Sequence, residues 1–148
     1  MTTQDIAQSN EATKEKDYGS YWIDPKRFQA LERSLELTLV SRRCLPCKEK
    51  KAPDSDLPAP DKQIKHISQC CAKDETFIKP GMPMQEILFR LILAGRNRPK
   101  TLDDLHSQLT GRYATPGNPL NISKGALIRV LESDDYYGFT ALPQKGVR

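Results

Sequence analysis

The spacing of four potential metal ligands constrains this chain more than any other feature. Cys44 and Cys47 form a CxxC pair, and His66 and Cys70 follow, four positions apart from each other. Two thiols two residues apart on a turn can bind a tetrahedral ion from one side. His66 and Cys70 would lie on one face of a helix with Cβ atoms about 5–6 Å apart, a spacing that suits binding of the same ion from the opposite side. The pattern predicts a closed site of three cysteines and one histidine, typical of one structural Zn²⁺.

The segment between the two pairs has no core of its own. Residues 48–60 contain three prolines and many charges, and Leu57 is the only sizeable apolar side chain among them. We expect a flexible loop here. A metal that joins the ends of this loop would add its binding free energy to the free energy of folding.

Other uses of the cysteines stay open. Free cysteines often fill a core as small apolar side chains, and four cysteines could also hold an iron–sulfur cluster. Adjacent helical residues point about 100° apart, so we expect Cys71, next to Cys70, to be a spare thiol unless the helix breaks. A thioredoxin-like redox pair is disfavoured, because Cys44 and Cys47 are expected to follow a helix rather than to precede one.

Composition limits the remaining classes of protein. Hydrophobic residues make up 37% and aromatic residues 7% of the 148 residues, which predicts that part of the chain is not packed. Residues 1–19 are polar and of mixed charge, so we expect a disordered tail.

The sequence also limits where the protein is expected. The apolar runs fall short of the roughly 18 residues of a membrane span, and we expect no secretory signal at the N-terminus, which has no apolar core. We therefore expect a cytoplasmic protein with no membrane partner, where cysteines are more often ligands than disulfides.

Residues 20–80 are predicted to form a helix and a zinc-binding module. Asp24 is a good N-cap before Pro25, and apolar residues then recur at helical spacing, which predicts one amphipathic helix over 25–43. Pro46 is expected to end regular structure between the two thiols. We expect Asp61 to cap a short helix over 62–72, and residues 76–78 to form a short strand.

Residues 81–148 are predicted to form a second module of three helices and a short β element. The first helix spans 83–94 and ends at Gly95. Thr101 caps the second helix, and Ser123 caps the third. Residues 136–142 favour a strand. Together with the N-terminal helix, these elements predict a mainly α fold.

This order of elements resembles the winged-helix version of the helix-turn-helix. The resemblance rests on the segments MQEILFRLILAG, TLDDLHSQLTG and ISKGALIRVLE, which cover a little over a third of the chain. It implies that the third helix enters the DNA major groove and that the strands after it form a wing. Two features depart from the family: the connection before the third helix is long, and only one strand follows that helix. Either the wing is truncated, or its partner strand comes from residues 77–78 or from the connector around Lys100.

The same resemblance indicates which basic residues would contact DNA. Lys124 and Arg129 on the third helix could reach a phosphate or a guanine edge. The residues expected to hold the flanking backbone are Arg96, Arg98, Lys100 and Arg112. The net charge of +4 permits DNA binding without requiring it.

The sequence thus favours a zinc-stabilised DNA-binding protein, such as a small transcriptional regulator or accessory factor. No nucleophile–base pair or paired-carboxylate constellation is present at motif spacing, so we expect neither an enzyme nor a small-molecule substrate. The alternative is a protein-interaction subunit of a larger assembly, with Ile128, the Tyr136–Tyr137 pair and the amphipathic N-terminal helix as contacts. A metal or redox sensor is a third hypothesis.

Overall fold

A three-stranded antiparallel sheet is built around a strand that precedes all the described helices. A computed structural model describes residues 19–49, 58–79, 81–112 and 121–142. Strand β1 (Ser20–Ile23) lies between β2 (Lys100–Thr101) and β3 (Phe139–Leu142). The helices in the described ranges are α1 (Pro25–Ala30), α2 (Leu35–Ser41), α3 (Leu45–Glu49), α4 (Pro60–Gln69), α5 (Met84–Ala94), α6 (Leu102–Ser107) and α7 (Lys124–Glu132). The fold is therefore mainly α with a small sheet.

Two predicted segments fall largely outside these ranges: the tail over 1–19 and the loop over 48–60. In the part of the chain that is described, no helix has the length and apolar character needed to cross a lipid bilayer.

Side-chain alternation along β1 explains its central position. Tyr21 and Ile23 are buried, whereas Trp22 belongs to the opposite face and is partly exposed. Just before β2 begins, the side chain of Asn97 continues the pairing with β1. Its Oδ1 accepts from the Ile23 N–H and its Nδ2 donates to the Ile23 carbonyl, both at 2.8 Å. The amide thus satisfies backbone groups that β2 is too short to reach.

The single helix predicted over 25–43 is wrong, because α1 and α2 are separate helices. Glu32 has a φ of 59°, in the left-handed region, and turns the chain out of α1. Ser34 then caps α2, since its Oγ accepts from the Leu37 N–H at 3.1 Å. The apolar spacing continues through this break and so does not reveal it. Ser34 in the middle of the pattern is the local signal for a new helix start.

Three helix starts predicted from capping residues are confirmed. In each, the side-chain oxygen of the cap accepts a backbone N–H of the first turn: Asp24 from Lys26, Thr101 from Asp104, and Ser123 from Ala126. The start of α4 differs, because this helix begins at Pro60 and Asp61 lies in its first turn instead of capping it.

The predicted partners of the C-terminal strand are also wrong. Residues 76–78 form turns and bends rather than a strand. Lys100 does belong to the sheet, but it pairs with Tyr21. β3 pairs with β1, with Trp22 opposite Thr140. The strand that completes the sheet therefore comes from the other end of the sequence.

The core has α5 at its centre and includes side chains from both sides of residue 80. The buried residues of α5 are Ile87, Leu88, Phe89, Leu91, Ile92 and Leu93. Ile128 on α7 is only 8% exposed, so the prediction of an exposed contact residue there is wrong.

Glu86 on α5 joins three parts of the chain. Its carboxylate accepts from the Arg42 guanidinium at 2.7 and 2.9 Å, from Arg90 Nε at 2.7 Å and from the Tyr137 hydroxyl at 2.9 Å. Burial disfavours the charged carboxylate, but these donors outweigh it and lower the pKa of Glu86 to about 2. Burial and the bond to Glu86 raise the pKa of Tyr137 to about 12.

The turn before β3 is organised by the buried carboxylate of Asp134. It accepts four backbone N–H groups at 2.8–3.1 Å, those of Tyr136, Tyr137, Gly138 and Phe139. Gly138 has a φ of 79°, and a Cβ on it would lie 2.7 Å from Phe28 Cδ1, so glycine is required here. The convergence of four main-chain donors on one charged group fixes the shape of the turn.

We expect Asp134→Asn to lower the free energy of unfolding by roughly 2–4 kcal/mol. The new amide NH₂ would face backbone N–H groups that now donate to a carboxylate oxygen, and those groups would lose their acceptor. Asp135→Asn is the matched control, since Asp135 is exposed, and it should change stability by about 0.5 kcal/mol or less. Urea denaturation followed by circular dichroism measures both. Equal stabilities of the two variants would contradict the role given to Asp134.

Glu86 predicts a loss of stability in acid. Its pKa is about 2 in the folded protein against an ordinary 4.5, so its contribution is fully present above pH 4.5 and is lost as the pH falls through 2. The shift corresponds to roughly 3 kcal/mol at neutral pH. Glu86→Gln should therefore be less stable than wild type at pH 7 and should lose less stability on acidification. The exposed Glu75→Gln is the control, and wild-type behaviour of Glu86→Gln in urea titrations across this pH range would disprove the prediction.

Candidate metal centre

Cys44 and Cys47 are positioned by the short helix α3. Helix α2 ends at Ser41, and α3 begins directly after Cys44. Pro46 therefore lies in the first turn of a helix, where its missing N–H costs no hydrogen bond, and the prediction that it ends regular structure is wrong. The backbone N–H of Cys47 donates to the Cys44 sulfur, which brings the two thiols to the same side of the turn.

Cys70 and Cys71 reach the same place because α4 stops before them. Cys70 has a φ of −123° and a ψ of −66°, outside helical values, and a 3₁₀ turn over Cys71–Lys73 follows it. This break removes the roughly 100° divergence of adjacent side chains on a helix. Cys71, expected to be a spare thiol, is fully buried and joins the other three. Its helical spacing from Ile64 and Ile67 is the sequence signal that places it on the inner face.

The four cysteine sulfurs form one cluster. The Sγ atoms of Cys44, Cys47, Cys70 and Cys71 all lie within 4.8 Å of one another, and those of Cys47 and Cys70 are 3.6 Å apart. Sulfurs bound tetrahedrally at about 2.3 Å from one zinc ion would lie about 3.8 Å from each other. All four thiols are free of disulfides. The cluster is close enough to hold a metal ion such as zinc.

His66, the fourth ligand predicted from the sequence, lies beside this cluster. Its Nε2 is 3.1 Å from the Sγ of Cys47, but it is not one of the four groups that approach one another mutually. An imidazole N–H at this distance can donate to a thiolate, and such outer hydrogen bonds orient metal ligands. The structure thus brings together three of the four predicted ligands and puts Cys71 in the remaining place.

The thiols differ in how readily they ionise. The backbone N–H of Cys47 lowers the pKa of Cys44. Burial, together with hydrogen bonds from the neighbouring thiols, raises the pKa of Cys47 to about 12, and burial also raises the pKa of Cys71. Several thiolates in so small a space repel one another, so a cation is needed to keep them ionised together. A divalent metal would supply that charge and would release protons on binding.

The elements that carry the cysteines are linked by Gln63. Its side chain is fully buried. Its Nε2 donates to the carbonyls of Glu36 and Pro58 at 3.2 and 3.1 Å, and its Oε1 accepts from Arg43 at 3.3 Å. Gln63 therefore joins α2, α4 and the residue that precedes Cys44.

The basic residues predicted to hold flanking DNA lie in the connector after α5. Arg96 and Arg98 are exposed, and Lys100 is half-buried in β2. Arg112 ends a π-helical turn over Gln108–Arg112, and its side chain lies outside the described part of the structure.

The two basic residues of α7 that were predicted to contact DNA have different surroundings. Lys124 Nζ lies 2.7 Å from Asp103 Oδ1, which ties the start of α7 to α6. Arg129 is exposed one turn further along α7. Neither residue is on an element that carries a cysteine.

Fold and site together define a helical protein with a small sheet and a four-cysteine cluster. Comparison of the chain with protein-family models, with curated proteins and with solved structures finds no match in any of the three.

We expect Cys71→Ser to weaken metal binding far more than His66→Ala does, because Cys71 contributes a sulfur to the cluster and His66 an outer hydrogen bond. Titration with Co²⁺ measures this directly, since sulfur-to-cobalt charge-transfer absorbance scales with the number of bound thiolates. His66→Ala should keep this absorbance, and Cys71→Ser should reduce it. The reverse result would restore the set of three cysteines and one histidine predicted from the spacing.

Proposed function

We propose that the four-cysteine cluster binds one structural Zn²⁺. A site that takes all four positions from the protein leaves none open for a substrate, which is the difference between structural and catalytic zinc sites. The chemistry of the donors supports zinc, because four thiolates suit a borderline-soft ion better than magnesium or calcium. The ion would stabilise the fold by tying α3 to the end of α4, the two sides of a long polar segment.

We further propose that the chain is a non-enzymatic DNA-binding protein, a small transcriptional regulator or accessory factor. The sheet supports this role most directly. β2 lies between the first and second helices of the C-terminal part, and β3 follows the third, as in a winged helix. β1 provides the pairing that a second strand after α7 would otherwise have to supply.

The outer surface of α7 supports its use as the reading helix. Arg129 is exposed, and a Cβ added to Gly125 would meet no other described atom within 4 Å, so a ligand's backbone could approach closely there. Lys124 is held near the start of α7 by Asp103. Glu132 at the other end is exposed and would repel phosphate. We therefore expect contact with DNA to be concentrated on the first two turns of α7.

A protein-interaction subunit is the second candidate, and one observation favours it. Leu37, Leu45 and Tyr136 are large apolar side chains that remain 57%, 68% and 46% exposed. Leu45 lies between Cys44 and Cys47, so a partner bound there would contact the metal centre itself. The burial of Ile128 removes one of the contacts expected for this role.

We expect the metal-loaded protein to bind duplex DNA with an affinity that falls steeply with salt, because phosphate contacts release counterions. Arg129→Ala should weaken binding at low salt roughly tenfold if it removes a base contact, as a good base contact contributes about 1–3 kcal/mol. Lys73→Ala is the matched control, an exposed cation on the 3₁₀ turn. Fluorescence anisotropy of labelled duplexes at two salt concentrations measures both.

Two outcomes would count against duplex binding. One is an absence of binding at low salt, and the other is an equal loss in Arg129→Ala and Lys73→Ala. Purification from native cells with nuclease treatment then tests the second candidate. A stoichiometric protein partner that survives nuclease, and is lost in Leu45→Ser, would assign the chain to an assembly instead.

A further inference from the structure

A cleft of about 470 Å³ lies on the side of the molecule where β1, α1, α4 and the connector after α5 meet. We call it the tryptophan cleft, and it is lined mainly by Trp22, Pro25, Pro60, Ile64, Lys65 and Arg96. Its volume falls within the range of small-molecule and cofactor pockets in proteins, about 300–1,000 Å³. Four of these lining residues are apolar, and the other two are cations.

The position of Trp22 follows from the sheet. Tyr21 and Ile23 on either side of it are buried, so alternation puts Trp22 on the face of β1 that the core does not cover. Its indole Nε1 is buried and has no hydrogen-bond partner among the described residues. The ring therefore offers the cleft mainly carbon atoms, which suit stacking rather than recognition by hydrogen bonds.

The charge around the cleft favours an anionic occupant. Lys65 and Arg96 are both exposed at it, and the exposed Asp61 is the opposing charge in the lining. The remaining polar lining residue, Asn97, already uses its amide on the Ile23 backbone. The exposed Arg98 continues the row of cations along the connector. A row of this kind fits a repeating anion better than a single acidic side chain.

We propose that the tryptophan cleft binds one nucleotide of a single-stranded nucleic acid. The base stacks on Trp22 between the apolar walls, and the phosphates on either side of it contact Lys65 and Arg96. Aromatic stacking accepts any base, so binding is expected to show little sequence preference. No residue of α7 lines the cleft, so Arg129→Ala leaves this site intact, whereas Arg96 is shared with the flanking contacts expected for duplex DNA.

Trp22 is the only tryptophan of the chain, so its fluorescence reports on the cleft alone. Metal-loaded protein is titrated with a ten-nucleotide oligothymidylate at low salt. We expect saturable quenching of Trp22 and an affinity that falls as salt is added. Labelled oligonucleotide anisotropy should show a loss of roughly tenfold or more for Trp22→Ala and near wild-type affinity for Trp22→Phe, which keeps an aromatic ring.

Arg96→Ala and Lys65→Ala should each weaken binding, whereas Lys73→Ala, which removes a cation outside the cleft, should not. If Trp22→Ala fails to fold, Trp22→Phe and Arg96→Ala still test the proposal. Arg96→Ala is then measured both in the wild-type protein and in Trp22→Phe.

Absence of quenching by the oligonucleotide at low salt would overturn the proposal, and so would equal affinities of wild type and Arg96→Ala. An acidic proline-containing peptide that quenches Trp22 when the oligonucleotide does not would assign the cleft to a protein ligand. Because Arg129→Ala tests duplex binding separately, failure of one proposal is distinguishable from failure of the other.

Discussion

The pairing of β1 on both sides is the interaction on which the arrangement of the other elements depends. β1 joins β2, which precedes α6, to β3, which follows α7. The segment directly after it continues this link: the Asp24 N–H donates to the Gly138 carbonyl at 3.1 Å, and Arg27 donates to the Asp134 carbonyl at 2.6 Å. The N-terminal elements are therefore part of the same packing unit as the C-terminal helices, and α5 fills the space between them.

Local chemistry was predictable from the sequence, and long-range pairing was not. The caps at Asp24, Thr101 and Ser123 act on N–H groups two or three residues away, so a short stretch of sequence is enough to identify them. The partner of β3 depends on a strand at the far end of the chain, and no local pattern indicates it. The cysteine cluster shows both cases, because the CxxC pair is local whereas the inclusion of Cys71 depends on where α4 stops.

The four-cysteine cluster and the core are not independent. Cys71 is part of the hydrophobic core, and Cys44 and Cys47 pack against it. An ion bound there would be shielded from water on its inner side, while the exposed Cys70 leaves the outer side accessible. Stabilisation by the ion would therefore reach α4 and α5 through packing, as well as α3 through direct ligation.

The register of β1 and β3 also sets the order in which the chain can fold. Ser20 pairs with Leu142, so the two strands are neighbours in space and distant in sequence. The helices can form from local contacts, whereas closing so long a loop is slow. During synthesis β1 leaves the ribosome before β2 and β3 and has neither neighbour until they emerge. Until then it is an unpaired edge with Tyr21 and Ile23 uncovered, and such edges favour aggregation and chaperone binding of a nascent chain.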